Sequence, residues 1–128
     1  MTATDHGAAL LDELLGPLHM HFACARDSYR AYLAEGRIFL HACSLRRINL
    51  GARALLIGKG WLLPEAVQAD AVALIGHYDV WLTLWDAHAE RTAPAPGDAF
   101  VFENSFTYPR EAEQALERLY EELRAGPG

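Results

Sequence analysis

Cysteine is scarce in this chain of 128 residues, and its two copies, Cys24 and Cys43, form no CxxC pair. A chain of this length buries a core without covalent staples, so both thiols are expected to be reduced, in a cytoplasmic setting. Long apolar runs are missing too. The most apolar window, WLLPEAVQADAVALIGHYDVWLTLW, is interrupted by Pro64, Glu65, Asp70 and Asp79, which argues against insertion in a membrane. The first twenty residues lack a positive start and are broken by acids, so they do not read as a secretory signal. There is no internal repeat and no low-complexity segment.

Several chemistries lack their sequence signature. No GxSxG elbow occurs, and Ser28, Ser44 and Ser105 have no local base. The GKG at 58–60 lacks the long glycine-rich spacing and the following Ser/Thr of a phosphate loop, and there is no GxGxxG. A diiron or dimanganese bundle needs Glu-x-x-His pairs that aim two ligands at one metal. None of the six histidines has an acid three or four residues away. The sequence therefore leads us to expect no cofactor and no metal.

What the chain does have is apolar content of 52%, mostly alanine and leucine, arranged in four helical blocks. The first runs from about Thr4 to Ala34, with Gly16-Pro17 expected to break or kink it and Gly36 to stop it. A second block, about Arg37 to Ile57, ends at GKG, where Gly58 or Gly60 suits a left-handed cap. The third spans about Pro64 to Arg91 and is closed by TAPAPGD. A fourth opens at Thr107 with Pro109 and reaches about Arg124. Residues 92–108, with the apolar AFVFENSFTYP, read as an irregular strap, and 125–128 as a flexible tail. The predicted fold is all-α: one four-helix-bundle-like domain with an extended apolar strap before the last helix.

The stretch HYDVWLTLWDAH, His77 to His88, is dense in side chains that serve cofactor sites. On a helix, His77 and His88 project within roughly 20° of each other but lie about 16 Å apart along the axis. Metal ligands sit about 2 Å from their ion, so the two cannot share one. Val67, Ala71, Leu74, Ile75, Tyr78, Trp81, Leu82, Trp85 and Ala89 form one broad apolar face, opposite Gln68, Asp79, Thr83, Asp86 and Glu90. The stretch reads as a packed helix with its histidines at the rim. A second stripe on the same helix, Ala69, Ala73, Val80, Leu84 and Ala87, suits self-association through Ala73, Val80 and Leu84. Phe100, Phe102 and Phe106 add to the apolar surface that needs cover.

Charge is distributed unevenly. Between Arg26 and Lys59 seven basic residues face only Asp27 and Glu35, a local balance of +5 in a chain of net charge −6. Arg46, Asn49 and Arg53 share one face of the second helix, with Arg47 beside them. They suit an acidic protein partner, or else internal pairing with the acidic helices. The acidic whole and the single aromatic of that helix, Phe39, argue against nucleic acid. The expected function is a non-catalytic, bacterial-type interaction or regulatory subunit that binds an acidic partner or a second copy of itself. The alternative is a small metal-binding bundle using His21, Cys24, His41 and Cys43, or a ribonuclease-like one using Arg37 and His41, one helical turn apart.

Overall fold

A computed structural model describes residues 3–126. Helix α1 (Ala3–Leu10), a π-helical segment (Leu11–Leu15) and α2 (Gly16–Ala34) follow one another without a break. They are followed by α3 (Phe39–Lys59), a 3₁₀ turn (Gly60–Leu62), α4 (Glu65–Thr92) and α5 (Arg110–Ala125). The all-α bundle is thus present, with α1 and α2 acting as one long rod. No helix among the described residues is long and apolar enough to cross a membrane. Pro127 and Gly128, the end of the expected tail, lie outside the described residues, and α5 still includes Ala125.

Gly16-Pro17 does not break the first rod. A proline inside a helix lacks an N–H and its ring crowds the carbonyl four residues back, here that of Glu13. The π segment in front of Pro17 absorbs this misfit, and Gly16 donates its N–H to the Leu11 carbonyl, five residues back. A Cβ at Gly16 would stand 3.0 Å from that oxygen, so glycine permits the close approach. Nor does GKG take a left-handed cap. Gly60 keeps a right-handed φ of −59°, and the chain winds on into the 3₁₀ turn. Burial of Leu62 and Leu63 draws it inward while Trp61 stays 64% exposed.

The α2–α3 turn behaves as the sequence predicts, with one addition. Gly36 adopts φ +84°, and the Arg37 N–H reaches back to the Tyr32 carbonyl at 2.7 Å, the 6→1 bond of a Schellman cap. Arg37 itself also has a positive φ, +54°, a conformation that costs a non-glycine residue about 1–2 kcal/mol. It therefore precedes α3 and does not sit one helical turn from His41 within it.

Helix α3 begins after Ile38, a residue with no side-chain acceptor for the free N–H groups of a first turn. The strap supplies the acceptors. Phe39 donates to the Asp98 carbonyl at 2.8 Å and Leu40 to the Pro96 carbonyl at 3.0 Å, while Phe100 N–H donates to the Arg37 carbonyl at 2.8 Å. A single antiparallel bridge, Ile38 to Ala99, accompanies these bonds. Below, a leucine-rich core joins Leu14, Leu18 and Phe22 to Leu56, Leu74, Tyr78 and Leu116. A second, smaller cluster at the α2–α3 turn contains Ala42, Trp85 and Phe100.

Phe100 is 1% exposed and its ring lies about 5 Å from those of Phe39, Trp85 and His88. One strap phenylalanine is therefore a core residue, and the need to cover it is met inside one chain. Phe100→Ala should cost about 3–5 kcal/mol in urea unfolding. A cost below about 1 kcal/mol would show that the strap is a surface loop and not part of the upper core.

Candidate functional site

The four arms do not close the bundle along its full length. Helix α5 starts only beside the middle of α2, where the Arg26 guanidinium meets Glu113, in the first turn of α5, at 3.5 Å. Above that level Tyr29, Tyr32 and Leu33 of α2 have the strap across from them in place of a helix. A cleft of about 730 Å³ remains between α2, α3, α4 and the strap. Its volume is in the range of small-molecule sites.

The cleft walls are aromatic. Phe22, Tyr32, Trp81, Trp85 and Phe102 line it together with Tyr78 and Tyr108. Tyr32 donates its hydroxyl to the Phe100 carbonyl, which ties α2 to the strap. Trp85 donates its indole N–H to the Ala42 carbonyl at 3.2 Å, which fixes the ring against α3. Tyr108 donates to Glu113 at 2.6 Å. The polar atoms of these three side chains are engaged, and the Trp85 ring is also flanked by Phe39, at 5.6 Å, and by the Arg46 guanidinium, at 5.3 Å.

Four titratable groups of the cleft, Tyr32, Tyr78, Tyr108 and His77, are held in their neutral forms. Burial pushes the Tyr78 phenol up to about 12; the neighbouring Tyr108 hydroxyl pulls it partly back and the Glu113 carboxylate pushes it further up. Tyr108 is raised more, by burial first and then by Tyr78 and Glu113. Tyr32 is raised by burial, against the pull of Arg37. Burial lowers the His77 pKa, so its imidazole is neutral at pH 7. Its Nδ1 is buried with no hydrogen-bond partner, and its ring stands edge-on to Tyr108 at 5.0 Å.

The sequence-derived candidates fall in several places. Arg46 bonds Asp86 at 2.9 Å and Arg53 bonds Asp79 at 2.5 Å, so the basic face of α3 is turned to the acidic face of α4. Asn49, between them, lines the cleft. Arg47 stays exposed and reaches only Ser44, at 3.2 Å. Of the self-association stripe, Ala73 is exposed, while Val80 and Leu84 are half-buried.

The four proposed metal ligands are scattered. His21 donates from Nδ1 to the Pro17 carbonyl, and its ring occupies the space that a side chain on Gly51 would need. His41 faces Glu35 at 3.1 Å, ten residues away from Gly51 along α3. Cys24 is exposed on the outer α2–α3 surface, whereas Cys43 packs against the Trp85 cluster. Among the described residues no three His, Cys, Asp or Glu side chains gather as a metal site. His77 lines the cleft and His88 packs edge-on against Phe100, so they serve different surroundings.

Sequence reasoning missed Tyr29, Tyr32, Tyr108 and Arg110. The available signal was the strap itself: four aromatics between Phe100 and Tyr108, too many for a solvated linker.

The raised tyrosines predict an alkaline weakness. A free tyrosine ordinarily titrates at 10.0 and the Tyr78 phenol in the fold is pushed up to about 12, so the unfolded chain loses its proton first as pH rises. Stability is then fully present below 10 and falls as pH rises toward 12. Tyr78→Phe should flatten part of that fall in urea titrations. An identical fall in both proteins would show that Tyr78 is not shielded in this way.

No protein-family model, characterised protein or solved structure matches this chain, so a functional reading rests on the cleft and its residues.

Proposed function

We propose that this chain is a non-catalytic binding module whose functional site is the aromatic cleft under the strap. The ligand is a small molecule with an apolar or flat body, held between the rings of Tyr32, Trp81, Trp85 and Phe102. The cleft itself carries this reading: it is a concave, largely apolar cavity of about 730 Å³ with a few polar groups placed in its wall. The unpartnered Nδ1 of the neutral His77 offers a hydrogen bond in this wall.

A regulatory role is compatible with this site, because a ligand there touches α2, α3, α4 and the strap at once. Binding would stabilise the strap in its present position by mass action. The reading in which Arg46, Asn49 and Arg53 recruit an acidic protein has less support. Two of these three are already paired with α4 carboxylates.

N-phenyl-1-naphthylamine, a neutral aromatic probe, should bind at one site with a rise in its fluorescence and quenching of tryptophan. Ala25→Trp, at a half-buried position lining the cleft, should abolish binding while the far-ultraviolet dichroism stays helical. Binding that survives this filling substitution would place the probe elsewhere and overturn the proposal.

A further inference from the structure

The cleft is cationic in a protein that is not. Three arginines line it, Arg26, Arg37 and Arg110, against the single carboxylate of Glu113, in a chain of net charge −6. Glu113 is already answered by Arg26 and by the Tyr108 hydroxyl. Arg37 and Arg110 are left, and neither makes an ion pair or a side-chain hydrogen bond among the described residues. The basic residues of the α2–α3 region that do have an acid in reach, Arg26, Arg46, Arg53 and Lys59, are all bridged. Arg30 and Arg47 of the same region are likewise unbridged among the described residues but do not line the cleft, whereas Arg37 and Arg110 do.

Backbone geometry gives an independent reason to single out Arg37. It holds a positive φ at a position where glycine would be relaxed, immediately after Gly36. Its main chain is clamped by the bonds to Tyr32 and Phe100, so the guanidinium projects from a fixed point at the cleft rim. Strain kept at a residue with no internal partner points toward a role outside the fold. Arg110 opens α5, whose positive dipole end adds to the same field.

We infer that the ligand of this cleft is an amphipathic anion, a small molecule whose apolar body lies among the rings and whose single acidic head is bound by Arg37, with Arg110 adding to the positive field of the cleft. This rests on the binding-cleft reading and adds the head group to it. A guanidinium presents paired donors that match the oxygens of a carboxylate, sulfonate or phosphate. The bound anion also neutralises a patch that the fold leaves uncompensated.

Two probes with the same skeleton separate this inference from the reading beneath it. 1-anilinonaphthalene-8-sulfonate carries one anionic group, and N-phenyl-1-naphthylamine lacks it. The wild-type protein should bind the sulfonate at least tenfold more tightly at low salt, with the advantage shrinking as salt is added. Arg37→Gly, which relieves the backbone, should remove most of that advantage and Arg110→Gln a smaller part, and both should leave neutral-probe affinity unchanged. Unchanged neutral binding also certifies that the variants are folded. Equal affinity for the two probes in the wild type would overturn the anion assignment alone. So would variants that weaken both probes by the same factor. If neither probe binds, the cleft reading itself fails and the inference falls with it.

Discussion

Two backbone hydrogen bonds at the start of α3 organise the upper half of this protein. Ile38 has nothing in its side chain with which to cap a helix, and the N–H groups of Phe39 and Leu40 are satisfied by Asp98 and Pro96 of the strap. A strap committed to that task crosses from the end of α4 to the α2–α3 turn before it can descend to α5. On the way it delivers Phe100 into the small upper cluster, and it leaves α5 to begin only at Arg110. The fourth corner of the bundle is therefore helical below and open above. The cleft follows from how the chain caps one helix.

The same arrangement explains the charges. Helix α3 stands beside α4, and the Arg46–Asp86 and Arg53–Asp79 bridges fall along their contact line. Each is a surface pair worth about 0–1 kcal/mol, too little to hold the fold but enough to set which faces meet. Together with Arg26–Glu113 and Lys59–Glu13 they pair four of the seven basic residues between Arg26 and Lys59. Of the basic residues left unbridged, Arg37 and Arg110 line the cleft, Arg37 at the α2–α3 turn and Arg110 at the start of α5. The aromatic walls are apolar, with their phenols and imidazole neutral, so the arginines are the part of the site able to select a charge.

Much of this architecture could be read from periodicity. The α4 face running through Ala71, Leu74, Tyr78, Leu82 and Trp85 is buried as the helical wheel requires, and Asp79, Thr83 and Asp86 face outward. Gly36 ends α2 because a left-handed residue is needed there. Pro17 falls in the first turn of α2, where propensity rules place a proline, but the interruption in front of it is a π-helical segment inside a continuous rod and not a break. The site itself was illegible for a different reason. Its residues come from α2, α3, α4, the strap and α5, and no spacing along the chain encodes the level at which α5 meets α2. That level depends on the length of the strap and on which N–H groups it caps, a tertiary fact. Arg37 did stand out in the sequence, but as a helical neighbour of His41, whereas in the fold it precedes α3.

The three tryptophans offer a direct test of the central claim that the cleft is the binding site. Trp81 and Trp85 line it, while Trp61 is exposed beyond the lower end of α3. Their indole N–H groups give three separate signals in a nitrogen–proton correlation spectrum. Titration with N-phenyl-1-naphthylamine should shift the Trp81 and Trp85 signals along a single saturable curve and leave Trp61 in place. Movement of Trp61 alone, or of all three together without saturation, would contradict the account.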